Sequence, residues 1–420
     1  MSIVKLALKS VWNRKFTAGL TAFSIGLSVT MLLGVQRINS EAKNSFTSTI
    51  SGTDLIVGAR TGSVQLLLYS VFRIGFATNN VSWETIQELQ DHPNIEWLVP
   101  ISLGDSHRGY RVMGTTQEYF DRYRYSRDRP LELAEGERFA EVYDAVLGSE
   151  VAKQLGYELG EEIIIAHGAG AVNLIEHDDK PFQVVGILAQ TGTPVDQTVH
   201  VSLEGIEAIH IDWQDGAPPR PGQEISADIA ERVALRPQAV TAALVGLNSR
   251  VAAFEVQRYV NTYRSEPLLA ILPGVTLQSL WEVIGVAERA LTVVSGFVVV
   301  VGLSGMLVAL LTSLNERRRE MAILRSVGAR PIHIFGLIVG EACALTLAGV
   351  VTGILLLYGG LWIAQPIVLS RFGLAIAIGA LSSYELTLIA AVCCAGTAIG
   401  MVPGYLSYRY SLVDGMSIKQ

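Results

Sequence analysis

The sequence predicts a membrane protein with four transmembrane α-helices, one before and three after a large α+β extracytoplasmic domain. Three observations carry that expectation. Half of the 420 residues are hydrophobic, only 17% are charged, and the mean hydropathy is positive. Such a balance fits a few spans plus a folded aqueous domain better than either alone. Four uncharged apolar runs, Phe16–Val35, Ala290–Ser313, Ala342–Ile363 and Leu386–Gly404, can cross about 30 Å of hydrocarbon at ~1.5 Å per residue. Charge is also divided: residues 37–289 hold 20 basic and 34 acidic side chains, and the remainder holds 12 and 5.

In chain order, residues 1–15 read as a cytoplasmic amphipathic helix, with Lys5, Lys9, Arg14 and Lys15 beside Leu6, Leu8, Val11 and Trp12. Residues 16–36 form the first span. Its apolar run exceeds the roughly 7–15 residues of a signal-peptide core, and Gln36-Arg37-Ile38-Asn39 follows it in place of a small-residue cleavage site. It therefore reads as a retained anchor. Residues 37–289 are the extracytoplasmic domain with stalk helices. Then come a second span (290–313), a short cytoplasmic helix (314–331), a third span (332–363) and a short loop (364–384). A fourth span (385–407) and a tail (408–420) complete the chain. Basic residues near span ends cluster in the N-terminal segment and in Glu316–Arg330, so the positive-inside rule places both termini and that segment in the cytoplasm.

Within the acidic domain, Ile95–Ser102, Tyr110–Gly114, Glu162–Ala166, Phe182–Ala189, Thr198–Ser202 and Ala239–Val245 read as strands rich in Val, Ile or Tyr. Ser82–Leu89, Ser149–Leu155, Leu203–His210 and Ser249–Tyr263 read as helices, with Ser82 and Ser149 as N-caps. Trp213–Gln223 is the strongest breaker and marks either a subdomain boundary or a surface loop. From Leu277 to Ser313 there is no proline, so one helix is expected to run from the domain into the second span. A matching helix is expected to leave the first span through Val35–Phe46. Ser63–Ala77 is strongly apolar and reads as core, as a membrane-surface helix or as a partner patch. Cys343, Cys393 and Cys394 all fall in the later spans, so the domain must hold together without disulfides.

No nucleotide-binding P-loop is present. That motif needs Gly-Lys followed by Ser or Thr, and only Lys9 of the seven lysines precedes a Ser or Thr, with Leu8 before it. If ATP drives this protein, another chain binds it. The densest polar motif is Glu316-Arg317-Arg318-Arg319-Glu320-Met321-Ala322-Ile323-Leu324-Arg325-Ser326-Val327-Gly328-Ala329-Arg330. As a helix it aligns Met321, Leu324 and Gly328 in one stripe, flanked by Arg318 and Arg325. That face suits a partner groove, or else the charges simply sit at lipid headgroups.

These residues resemble the MacB/FtsX/LolC-type permeases of ABC transporters, whose loop after the second span follows R-x-R-E-I-(A/G)-I-L-R-A-(I/L)-G-A. Val146-Leu147-Gly148-Ser149-Glu150-Val151-Ala152 and Phe182–Asp196 are similar to the MacB-like periplasmic core. Ser51–Gly58 resembles its first strand, and the end Pro403 with Ser411–Met416 also matches. The resemblance spans essentially the whole chain and lacks the fused ATPase of MacB itself. It implies a non-catalytic permease subunit in a bacterial inner membrane, binding no cofactor. ATP and Mg would sit on a separate ABC ATPase dimer. Glu316, Arg317, Arg318, Arg319, Glu320, Met321, Leu324, Arg325, Gly328 and Ala329 would dock on it as a coupling helix. It also implies two permease copies or homologues, with a periplasmic adaptor and outer-membrane duct common in the family. Membrane lipid is a partner and nucleic acid is not.

The remaining motifs are weaker. Gly336/Gly340, Gly349/Gly353 and Gly396/Gly400/Gly404 are small-xxx-small pairs that pack spans within one subunit or across a dimer. Glu341 is costly in hydrocarbon and suits the cytoplasmic interface beside an Arg such as Arg330. Six histidines, His92, His107, His167, His177, His200 and His210, lie in the domain. Glu176-His177-Asp178-Asp179 and His210-Ile211-Asp212 could contribute metal ligands, but neither has paired-His spacing, so spacing defines no metal site. No Ser/His/Asp or Cys/His arrangement points to a hydrolase. The sequence is thus read as an export permease acting by mechanotransmission. A lipoprotein-extracting permease, an FtsX-like signal transducer and a metal-sensing receptor stand as alternatives, and no substrate is named.

Overall fold

The computed structural model describes residues 15–126, 128–168, 175–213, 225–233, 235–316, 321, 323–324, 326, 328–372 and 378–413. The chain forms two compact units: residues 1–41, 284–365 and 376–420 make one, and residues 42–283 with 366–375 make the other. In chain order the principal helices are α1 (Lys15–Thr49), α2 (Ser63–Phe72), α3 (Trp83–Gln90), α4 (Ser149–Leu155) and α5 (Leu203–His210). They continue with α6 (Ala253–Asn261), α7 (Pro273–Glu316), α8 (Pro331–Phe372) and α9 (Ser383–Val413).

The first unit is helical. Lys15–Thr47, Pro273–Leu314, Pro331–Val368 and Ser383–Arg409 are long and apolar enough to cross a membrane. Their burial pattern is that of spans. On α1, Ile25, Val29 and Leu33 recur every fourth residue and are buried, while Phe16, Leu20, Phe23 and Leu27 are exposed. On α7, Leu303, Met306 and Leu310 are buried while Phe297, Val300, Val301 and Val308 are exposed. Large apolar side chains facing outward along a whole helix suit lipid as the solvent. Thr30 Oγ1 donates to the Gly26 carbonyl at 2.8 Å and to the Gly353 carbonyl at 3.0 Å, and Ser28 Oγ to the Val298 carbonyl at 3.1 Å. Hydroxyls inside the bundle are thereby satisfied by backbone.

The second unit is α+β around one twelve-stranded sheet. Its strands are β1 (Leu55–Ala59), β2 (Ile95–His107), β3 (Tyr110–Thr115), β4 (Leu133–Gly136), β5 (Asp144–Leu147) and β6 (Glu162–Ile163). They are followed by β7 (Ala166–His167), β8 (Ile175–Glu176), β9 (Phe182–Leu188), β10 (Thr198–Ser202), β11 (Ala242–Leu247) and β12 (Leu268–Ile271). The main path runs β12-β1-β11-β2-β3-β10-β5-β9-β4, with β7 joining β2 and β8, and β6 joining β9. The pairs β3–β10 and β5–β9 are parallel; the other pairs are antiparallel. Strand alternation supplies two faces. Leu55, Val57 and Ala59 join a core with Ile86 and Leu89 of α3 and Val256 and Val260 of α6. Ile56 points the other way, into a core with Leu66, Leu67 and Phe72 of α2.

Most expected elements appear, with instructive shifts. The helical part of the apolar Ser63–Ala77 segment is core, α2 burying Leu66, Leu67, Tyr69, Val71 and Phe72, whereas Ile74 and Phe76 beyond it are exposed. Ser82 caps α3, its side chain accepting from Thr85 N at 3.4 Å. The N-cap of α4 is Gly148 rather than Ser149, because a side chain at 148 would meet the Val195 carbonyl at 2.3 Å. The expected Glu162–Ala166 strand divides into β6 and β7, and Ala239–Val245 divides around Thr241. Thr241 breaks the ladder because its Oγ1 bonds the Leu103 backbone on both sides. The helix expected to end near 363 continues through Pro366 to Phe372. Residues 1–14 and 414–420, and the break at Gln214–Gln223, lie outside the described residues.

His200 on β10 is fully buried, its ring stacked on Tyr119 at 5.6 Å, with Nδ1 3.3 Å from the Val146 carbonyl. Burial first, and the Arg73 charge second, push it down to about 3 from 6.5. Between those values the unfolded chain binds the proton and the folded chain does not. Stability is therefore fully present above about pH 6.5 and falls as pH drops toward 3. His200→Gln should flatten that decline, as read from urea midpoints of the detergent-solubilised chain across pH.

Candidate functional site

Two charged side chains inside the helical unit make its most polar site. Arg37 lies on α1 and Glu385 in the first turn of α9. Arg37 Nε donates to Glu385 Oε1 at 2.7 Å and Nη2 to Oε2 at 2.8 Å, a two-pronged pair whose side chains are 5% and 2% exposed. Nη1 and Nη2 each donate one further bond, to the Gly379 and Ala380 carbonyls respectively, both at 3.2 Å. Glu385 Oε2 accepts from Ser382 N at 2.6 Å, and Ser382 Oγ accepts from Glu385 N at 3.2 Å. Ser382-Ser383-Tyr384-Glu385 is thus a reciprocal capping box that aims the carboxylate. Tyr358 of α8 places its ring 5.8 Å from the Arg37 guanidinium and donates to the Gly379 carbonyl at 2.8 Å. Three helices meet at one salt bridge. The S-x-x-E pattern was a readable signal for the cap; its partner was not.

The expected coupling segment is described in part. Arg317, Arg318, Arg319, Glu320 and Arg325 lie outside the described residues, and Glu316 ends α7. Met321, Ile323, Leu324 and Ser326 are helical. Gly328 stops the helix at φ +97°, and Ala329 N–H returns to the Leu324 carbonyl at 3.0 Å. That bond and the left-handed glycine make a Schellman stop. The stripe differs from expectation. Met321 turns toward Ser407 of α9, with Sδ 3.3 Å from Oγ, while Ile323 is 63% exposed. Leu324 is half-buried. A helix turns about 100° per residue, so facing Met321 inward presents Ile323 outward.

Gly349, Gly353, Gly396 and Gly400, among the glycines expected to pack helices, lie at helix contacts within the chain. A Cβ at Gly349 would lie 2.6 Å from Ile25, and one at Gly353 2.8 Å from Val29 and from the Gly26 carbonyl, so both seat α8 on α1. Gly396 and Gly400 bring α9 onto Thr346 and Ala342 of α8, each hypothetical Cβ falling 2.3 Å away. Gly336 and Gly340 face no atom within 4 Å among the described residues. Glu341 is 5% exposed within α8.

The inserted domain gathers four residues that sequence spacing did not connect. The β2–β7 register places His167 opposite Asp105. His177 follows β8, its N–H bonding the Ile165 carbonyl at 2.9 Å, and His210 ends α5. One donor atom from each of Asp105, His167, His177 and His210 lies within 4.8 Å of the others. His167 Nδ1 is 3.2 Å from Asp105 Oδ1 and 3.3 Å from His210 Nε2, which is 3.6 Å from that same oxygen. The Trp213 ring packs 5.1, 5.0 and 5.5 Å from the rings of His167, His177 and His210. The hydrogen bond from Asp105 first raises His167, while burial, then the His210 charge, push His177 down to about 4. Of the other candidates, Asp179 and Asp212 pair with the buried Lys180, at 2.6 and 3.1 Å. Asp105, His167, His177 and His210 come from four separate segments, which no local spacing reveals.

Residues 18–263 match the family model described as MacB-like periplasmic core domain, and residues 292–410 match that described as FtsX-like permease C-terminal. No curated protein sequence matches the chain. Among solved structures, the periplasmic region of MacB from Actinobacillus actinomycetemcomitans is similar at 12% identity and a TM-score of 0.34, over 55% of this chain and 94% of that one. The extracellular domain of the noncanonic ABC-type transporter YknZ from Gram-positive bacteria is similar at 12% identity and a TM-score of 0.31, over 52% and 99%.

Removing one member of the Arg37–Glu385 pair strands the other in the bundle. Arg37→Leu or Glu385→Leu alone should cost about 3–5 kcal/mol, whereas the double substitution should cost less than either. Unfolding of the solubilised variants in a double-mutant cycle checks this, and additive losses would contradict the coupling.

Proposed function

Since the chain belongs to the MacB/FtsX-type permeases of ABC transporters, we propose that it is the transmembrane subunit of an ATP-driven exporter working by mechanotransmission. Permeases of this family work with an ABC ATPase and are generally non-catalytic. One observation carries the reading furthest: an FtsX-like helical half and a MacB-like domain occur in one polypeptide. In this reading the energy source is an ABC ATPase partner.

ATP binding on that partner draws the cytoplasmic helix ends together, and the uninterrupted helices α1 and α7 pass the movement to the inserted domain. Their lengths, 35 and 44 residues, exceed the roughly 20 residues that span hydrocarbon. A helix that continues beyond the bilayer without a break resists bending, so displacement at one end reaches the other. The segment from Met321 to Ala329 is the ATPase-docking element: Ile323 and Leu324 supply an apolar contact, and the Gly328 stop fixes the segment's length. The acidic domain faces the periplasm, both termini and this segment face the cytoplasm, and two permeases complete the transporter. An adaptor and outer-membrane duct extend it where export crosses the outer membrane.

Leu324→Asp places a charge on the docking face. It should reduce ATPase stimulation by the co-reconstituted permease to that of the ATPase alone, with insertion and unfolding midpoint unchanged. Ile323→Asp should act in the same direction. Retained stimulation in both variants would remove the docking role of this segment.

A further inference from the structure

We propose that Asp105, His167, His177 and His210 form a binding site for a divalent first-row transition-metal cation of the zinc class. The proposal stands apart from the transport reading and rests on the geometry of the inserted domain alone.

The ligand set is three imidazoles and one carboxylate, the donors that borderline cations such as Zn²⁺ take in four-coordinate sites. The spacing is already close to what such an ion requires. Metal–ligand bonds of about 2.0–2.1 Å in a tetrahedron set ligand atoms about 3.3 Å apart. Three edges of the cluster, between Asp105 Oδ1, His167 Nδ1 and His210 Nε2, measure 3.2, 3.3 and 3.6 Å. The fourth donor, on His177, closes the group within 4.8 Å. A shift of the His177 imidazole toward the other three donors would complete the tetrahedron.

Protonation geometry points the same way. His210 Nδ1 sits 2.9 Å from the Ile206 carbonyl, an acceptor that keeps the proton on Nδ1. The Nε2 lone pair is thereby turned toward Asp105 and His167. A ligating histidine is oriented in this manner when its second nitrogen donates to backbone. His177 Nε2 is buried and has no hydrogen-bond partner among the described residues. An imidazole nitrogen desolvated beside two other histidines and left unmatched is costly, and a cation in the cluster would satisfy it.

The surroundings suit a bound ion. Asp105 and His177 are buried, while the His167 side chain is 45% exposed, giving an access side. Trp213 covers the three rings, and a low-dielectric wall strengthens binding of a charge within it. The competing explanation is a hydrogen-bonded pH-sensitive cluster, in which Asp105 and protonated His167 are paired and nothing else binds. That account leaves His177 Nε2 orphaned and gives no reason for three imidazoles to converge on one oxygen.

The ion would tie β2, β7, the turn after β8 and the end of α5 together, so binding should raise the unfolding midpoint of the whole chain. The test uses the full chain in detergent, without a polyhistidine tag, freed of metal by chelation. Titration with Co²⁺ alone should give one equivalent bound and the intense visible bands of tetrahedral cobalt, displaced by one equivalent of Zn²⁺. His167→Gln, at the exposed edge, should keep the metal-free unfolding midpoint and bind about 100-fold more weakly. His177→Gln should lose the tetrahedral bands, and His92→Gln, outside the cluster, should retain them. Absence of stoichiometric Co²⁺ binding to the unaltered chain would overturn the site. So would binding of equal strength and spectrum in a folded His167→Gln variant.

Discussion

A guanidinium and a carboxylate that are both almost fully removed from water persist only when each proton and lone pair has a partner. The Arg37–Glu385 pair comes close to that condition: four of the five guanidinium N–H groups reach the carboxylate or a carbonyl, the carboxylate also accepts a backbone N–H, and a tyrosine ring lies beside the charge. Its net contribution to stability is modest, since desolvation offsets much of the attraction. Its effect on specificity is larger. Slipping α1 against α9 by one turn would move the guanidinium about 5.4 Å from its partner and leave a charge in an apolar bundle. The register of the helices is therefore set by electrostatics and only then refined by packing.

Glycine decides how closely the backbones then approach. Gly349 and Gly353 let α8 contact Ile25, Gly26 and Val29, and that approach brings the Gly353 carbonyl within reach of Thr30. In lipid there is little hydrophobic drive between helices, so close contact and such hydrogen bonds supply the association. The exposed valines of α7 and its Phe297 carry no such burden. They only need to be apolar, which is why that helix tolerates a run as uniform as Val298-Val299-Val300-Val301.

The sequence disclosed what rests on local chemistry. Spans were legible because hydrocarbon forbids exposed charge over some twenty residues, and α4 and α5 because capping and turn residues bracket them. The coupling segment was legible as an apolar–basic run, whereas its stripe sets Gly328 inside a helix that Gly328 in fact ends. What stayed hidden depends on separation in the chain. Arg37 and Glu385 are 348 residues apart, and Arg37 read only as a residue beyond the span. The strands β4 and β12 are short, and β4 carries an exposed Glu135 in the sheet, so neither shows an alternation long enough to register. Ser149 looked like a cap because hydroxyls usually serve there, whereas a backbone approach at Gly148 governs the turn.

The histidine cluster shows most clearly what a pairing register adds to a sequence. His167 and His177 are ten positions apart and sit in strands or turns with no repeat between them, and His210 closes a helix. Asp105 joins them only because β2 is long enough to reach β7 after pairing with β3 and β11 along its length. Once β7 docks in that register, His167 has to face Asp105, and the return through β8 brings His177 to the same edge. The packing of α5 on this half of the sheet, through Ile206 and Ile209, then fixes where His210 ends. None of these steps requires a histidine for the fold itself, since each backbone bond would form with other residues. Of the three imidazoles around this carboxylate only His177 is buried, and its Nε2 has no hydrogen-bond partner among the described residues, which disfavours the metal-free state.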